Sequence, residues 1–160
     1  MRELQSVIEP KTVTDYVFTF ADATTDAGSI SLSQLFDDKD TLFVIHNMGE
    51  SCVNCTQWAD GFNGILEHLE DRAAFVISTP DSPEQQRDFA AGRGWHFTIV
   101  SHIDTSFAAD MGYRNESGYW PGVSVFKLQG TSVVRVSDTV FGPGDDFNPV
   151  WNFFDMIPEG

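Results

Sequence analysis

Leu42-Phe43-Val44-Ile45, followed by Cys52-Val53-Asn54-Cys55 and then Trp58 and Phe62, is the stretch that decides the fold. The four apolar residues run together without a polar face, which predicts a buried strand over Thr41 to Asn47. The two cysteines are the only ones in the chain. They open an amphipathic run, Cys52 to Arg72, in which Trp58, Phe62, Ile65, Leu66 and Leu69 recur at helical intervals. Asp60-Gly61 and Asn63-Gly64 oppose that reading, since each interior glycine costs a helix about 1 kcal/mol against alanine. The apolar stripe continues through both pairs, so a helix is expected, with the glycines allowing close packing on a sheet or a kink.

Further strands and helices alternate around this core. Tyr16 to Phe20 reads as a strand, Asp22 to Gly28 as a turn-rich connection and Ser31 to Phe36 as a short helical turn. Ala73 to Ser78 reads as a second buried strand. Pro83 to Arg93 reads as a helix with Ser82 as N-cap and Pro83 at the first helical position. Phe97 to Ser101 is a third core strand, and Thr105 to Met111 a short helix ended by Gly112. Val123 to Leu128 and Ser132 to Val136 form a hairpin around Gln129-Gly130. Phe147 to Met156 is expected to be a helix, with Phe141, Phe147, Trp151, Phe153 and Phe154 packing it on the sheet rather than forming a docking surface. The order implies parallel crossovers plus a closing antiparallel hairpin. We therefore expect one α/β domain over residues 1–160, a mixed central sheet flanked by helices, with residues 1–12 as an N-terminal extension.

Composition narrows the chemistry. The chain has 160 residues, 41% hydrophobic, with 14 Phe and 4 Trp, enough for a sizeable core. Nine Lys and Arg stand against 24 Asp and Glu, a net charge of −15. So acidic a surface repels phosphate backbones and anionic bilayers, which argues against nucleic-acid and membrane partners. Met1-Arg2-Glu3-Leu4-Gln5 lacks the apolar stretch of a secretory signal, so a cytoplasmic location is expected. In that compartment a lone, closely spaced cysteine pair is catalytic or metal-binding more often than structural.

A helix N-terminus has unpaired N–H groups and a partial positive charge, which favour a thiolate placed there. Three residues bring Cys55 back beside Cys52, with Cα atoms about 5–6 Å apart, within reach of a disulfide. Cys52 is then the exposed attacking thiol and Cys55 the resolving one. Glu50 and Asp60 flank the pair and oppose thiolate formation. Two inert buried thiols are the alternative.

Strand, C-x-x-C and helix together resemble the active-site arrangement of the thioredoxin superfamily. Trp58-Ala59-Asp60-Gly61-Phe62-Asn63-Gly64 and Pro121-Gly122-Val123-Ser124-Val125-Phe126 look like those of a thioredoxin-like branch classed as a domain of unknown function. Asp15-Tyr16-Val17-Phe18, Ser31 to Phe36 and Gly94-Trp95-His96-Phe97 support the likeness, which spans Val13 to Pro158. It implies a thioredoxin-like fold and thiol–disulfide oxidoreductase activity with no cofactor. Its substrates would be protein or small-molecule disulfides and thiols. Pro121 matches the superfamily's cis-proline opposite the cysteines, with Trp120 beside it shaping the substrate cleft; a trans-proline at a strand start is the other reading. His46 stands six residues before Cys52, where thioredoxin has a buried acid. It either accepts the Cys55 proton or is a hydrogen-bonded histidine at a strand end. The chain departs from the branch in having Val53 instead of proline after the first cysteine and a short connection before it.

The sequence leaves two other functions open. A copper-binding protein would add a histidine such as His46 to the two thiolates, since no second cysteine pair supplies a zinc site. A non-catalytic thioredoxin-like binding module would carry the pair as a relic. Peroxidase chemistry is not expected: the peroxiredoxin pattern Pro-x-x-x-Thr/Ser-x-x-Cys meets Gly49 three residues before Cys52, and Cys52 itself before Cys55.

Overall fold

Thr41–His46 forms β4, the strand from which the rest of the sheet is built. In the computed structural model, which describes residues 9–22, 24–25 and 27–158, it pairs in parallel with β5 (Ala74–Thr79) and antiparallel with β9 (Gly122–Gln129). The full order is β1-β10-β9-β4-β5-β6-β2-β3, where β1 is Lys11–Val13, β2 Val17–Phe20, β3 Gly28–Ser31, β6 Thr98–Ser101 and β10 Ser132–Val140. β6 joins β5 in parallel, and the remaining pairs are antiparallel. A separate ribbon pairs β7 (Arg114–Asn115) with β8 (Gly118–Tyr119). The architecture is the expected thioredoxin-like mixed sheet flanked by helices.

Successive side chains of β4 point to opposite faces. Leu42 and Val44 enter one core with Phe18, Phe36, Val76, Phe107 and Phe126. Phe43 and Ile45 pack into the other, with Cys55, Trp58, Phe62, Phe75 and Phe141. Fully burying such side chains is worth about 1.5–3 kcal/mol each, which is why an uninterrupted apolar run makes a central strand.

The helices are α1 (Val53–Gly64), α2 (Leu66–Glu70), α3 (Pro83–Arg93), α4 (Phe107–Asp110) and α5 (Val150–Phe154), with a 3-10 turn at Gln34–Phe36. The single helix expected over Cys52 to Arg72 is two, divided at Ile65 (φ −115°, ψ 15°). Gly64 is the last residue of α1, and neither glycine serves close packing, since a Cβ at Gly61 or Gly64 would meet nothing within 4 Å. Helix α3 has the expected bounds and caps. Ser82 Oγ accepts the Gln85 N–H at 3.2 Å, and Gly94 closes the helix in the left-handed region at φ 70°.

Other boundaries moved. Lys11 and Thr12, expected in an extension, pair with Arg135 and Val134 of β10; the rest of that extension through residue 8 lies outside the described residues. So do residues 23 and 26 of the turn-rich connection. The hairpin is longer than expected, running from Gly122 to Val140 with a bulge between Arg135 and Ser137. Among the described residues, no helix is long and apolar enough to cross a membrane.

Candidate functional site

The cysteine pair stands where β4 hands the chain to α1. Asn47 N–H donates to the Ser78 carbonyl at 3.0 Å, and its side-chain oxygen accepts the Gly49 N–H at 2.7 Å. Gly49 has φ 103°, and a Cβ there would lie 2.9 Å from Asp81 Oδ1. The next N–H, of Glu50, donates to Asp81 Oδ2 at 2.8 Å. The Gly49 carbonyl then accepts the Cys52 N–H at 3.1 Å. A tight turn fastened to Asp81 thus sets the angle at which the helix begins.

Cys52 is the N-cap of α1. Its backbone is extended (φ −88°, ψ 107°), and its Sγ accepts the Cys55 N–H at 3.1 Å, the role a serine or aspartate oxygen usually fills. Cys52 is half-buried, whereas Cys55 is 2% exposed, and both are free thiols. Burial pushes the Cys55 thiol far above its ordinary range, and its hydrogen bond with Cys52 pushes the same way; the Met48 N–H, 3.5 Å from Cys55 Sγ, opposes both. Cys55 is therefore held as a neutral donor beside an accessible partner sulfur. Asp81 is also raised, mainly by burial, with the Glu50 N–H lowering it and the Glu50 charge raising it further.

The other expected site residues are placed as follows. Trp120 and Pro121 sit at the same end of the sheet, since Gly122 pairs with His46 at the last residue of β4. Trp120 is 47% exposed and its N–H donates to the Tyr113 carbonyl at 2.9 Å. Pro121 is buried and its carbonyl accepts the Phe141 N–H at 2.9 Å. No peptide bond among the described residues is cis, so the cis-proline expectation is corrected: Trp120–Pro121 is trans, with the β10 end already bonded to the proline carbonyl. The backbone is also crowded here, because a Cβ at Gly122 would lie 2.3 Å from the Tyr113 ring.

His46 lies on the other face of the sheet from Cys55. Its neighbour Ile45 shares a core with Cys55, and strand alternation turns His46 away from it. Its ring stacks on Tyr113 (centroids 3.9 Å apart, 7° between planes), and its Nε2 is 2.8 Å from Ser124 Oγ. Burial, reinforced by the positive charges of Arg135 and His102, holds its pKa well below the ordinary value, so the ring is neutral.

Two participants carried no sequence signal. Asp81 is 29 positions from Cys52 and lies in an unremarkable Pro-Asp-Ser-Pro turn. Asp145 Oδ1 accepts the Trp58 indole N–H at 3.3 Å, tying α1 to the C-terminal segment. Each acts through a long-range contact that spacing does not encode.

Solved structures with the same fold include peroxiredoxins. The mitochondrial 2-cys peroxiredoxin from Plasmodium falciparum superposes with a TM-score of 0.67 at 15% identity, covering 92% of each chain. A PrxQ mutant from Xylella fastidiosa gives 0.70 at 14%, covering 91% of this chain and 93% of its own. Reduced Prx3 in complex with h2o2 from Vibrio vulnificus gives 0.68 at 10%, covering 94% and 97%. At such identities the likeness is one of fold. Comparison with curated protein sequences gives no match. Residues 10–160 match the model of a family described as "bacterial protein of unknown function (DUF899)", and the chain belongs to that family.

Proposed function

We propose that the protein is a thiol–disulfide oxidoreductase in which Cys52 attacks and Cys55 resolves. The observation that carries this is the asymmetry of the pair: a half-exposed sulfur accepting a helix N–H, and a buried protonated sulfur hydrogen-bonded to it. The Cys52 thiolate attacks one sulfur of a substrate disulfide, forming a Cys52–substrate bond and expelling the other sulfur as a thiolate that takes up a proton. Cys55 then gives up its proton and attacks Cys52 Sγ. The Cys52–Cys55 bond forms, the second substrate thiol leaves, and two electrons have passed from protein to substrate. Two external thiol groups restore the dithiol: the first attacks Cys52 Sγ and frees Cys55, and the second attacks the resulting mixed disulfide, frees Cys52 and leaves as part of an external disulfide. Cys55 keeps its proton until the mixed disulfide forms, which protects the resting dithiol from oxidation. Val53, exposed directly after Cys52, supplies apolar surface to a partner, and Trp120, exposed at the same end of the sheet, is the second residue assigned to that role.

The copper reading finds less support, because no group of three His, Cys, Asp or Glu side chains suited to a metal forms among the described residues. A peroxide reading lacks a hydroxyl at Gly49. Reduction of insulin or a small aromatic disulfide tests the proposal. Cys52→Ser is expected to abolish turnover, and Cys55→Ser to accumulate a mixed disulfide visible by mass. Unchanged turnover by Cys52→Ser refutes it.

A further inference from the structure

Helix α5 meets the core only through half-buried Trp151, whose ring lies against Trp58, while Phe153 and Phe154, with Met156 and Ile157 beyond exposed Asp155, face outward. Phe153 is 68% exposed, Phe154 46%, Met156 79% and Ile157 56%. A five-residue helix is not stable by propensity alone; Trp151 covers one side of it and leaves the other open. Beside it runs a groove of about 450 Å³ walled by Phe43, Ile45, Phe62, Ile65, Leu69 and Phe147. Pro149 and Asn152 of the α5 segment form its rim, so projecting side chains and groove belong to one continuous surface. The helix does not fill its own groove.

We propose that this face is a self-association surface and that its occupant is a second copy of the chain, with the Phe153–Ile157 projection of each molecule seated in the groove of the other. A twofold axis satisfies both features at once, since each copy supplies one projection and one groove. Aromatic and large aliphatic side chains present about 150–250 Å² each, so four of them at these exposures leave roughly 400–600 Å² uncovered. With the groove walls, the face approaches the roughly 800 Å² per partner of a standard interface. The contact is mainly apolar, but Asp155 stands within the projection, Asp146 lines the groove and each chain carries a net charge of −15, so like-charge repulsion opposes it at low ionic strength. Association therefore strengthens with added salt, the reverse of an ion-paired interface.

Sedimentation velocity of the full chain over a wide concentration range, at low and high sodium chloride, tests this. The expected result is a monomer–dimer equilibrium that shifts toward dimer as salt is raised. Phe153→Asp and Ile65→Asp, one on the projection and one in the groove, should each return the protein to monomer with an unchanged circular dichroism spectrum. Ile103→Asp, at an equally exposed residue between β6 and α4, should leave the dimer intact. A monomer under all conditions overturns the proposal and gives the groove to another occupant. A dimer indifferent to both Phe153→Asp and Ile65→Asp overturns it as well. Neither outcome depends on the cysteine chemistry.

Discussion

Gly49 shows how one residue controls the cysteine pair. Its φ of 103° is reached cheaply only without a side chain, and a Cβ would press on the carboxylate that receives the Glu50 N–H. Gly49→Ala is expected to cost about 1–3 kcal/mol and to displace the Cys52 N-cap. Urea denaturation reads the first effect, and the rate of disulfide reduction the second. If both are unchanged, the turn is not the device that aims Cys52. His46 teaches the converse. Its distance in sequence from Cys52 suits a proton acceptor, but the side-chain period of a strand puts the imidazole on the far face, against Tyr113 and Ser124. A shift of one position would have reversed that, which is why position before a motif is a poor guide to contact.

At the scale of elements, the stretch Trp58 to Gly64 is a clamp between α1 and the loop after α3. Asp60 bonds Arg93 and accepts the Trp95 indole N–H at 2.7 Å. Asn63 accepts the His96 N–H at 2.8 Å and donates to the Gly94 carbonyl at 3.2 Å. The Asp60–Arg93 pair is too exposed to contribute much. The half-buried indole bond matters more, so Asp60→Ala is expected to cost about 1–2 kcal/mol. Asp60→Asn, which keeps an acceptor for the indole, should recover most of that loss. Chemical denaturation of the two variants side by side checks the order; equal losses would assign the effect to the ion pair. Helix α3 was legible to the residue because its caps are local chemistry. The break at Ile65 was foreshadowed by two glycines, but the apolar stripe runs on through α2 and hides it.

For the whole molecule, acid stability follows from buried histidines. Burial lowers His102 to about 4 and holds His46 well below 6.5. The unfolded chain binds those protons near pH 6.5 while the folded chain refuses them. Stability is therefore full above about pH 6.5 and falls as pH drops toward 4. The His102 shift alone corresponds to about 3 kcal/mol. Urea midpoints between pH 7 and 4 should decline, and His102→Asn should flatten part of the slope. A flat profile in the parent protein would show that these rings are solvated. Cys55 acts at the other extreme: its thiol is raised, so the dithiol form loses stability as pH climbs through the ordinary thiol range. The C-terminal aromatics also belong to this scale. Phe141 is buried as expected and Phe147 and Trp151 pack beside it, but Phe153 and Phe154 face outward, because the short helix α5 meets the core through Trp151.

The features legible in the chain are those that short-range physics controls. An apolar run makes a central strand, a 3.6-residue stripe makes a helix, and three residues across a helix start bring two sulfurs together. The mixed sheet and the cysteine pair at its end follow from those. Long-range packing fixed that Asp81 holds the turn before Cys52, that Pro121 is trans, and which face receives His46. It also decided that the last helix keeps its apolar side outward. Each of these depends on residues far apart in the chain meeting across a sheet, and neither spacing nor composition records which of them will meet.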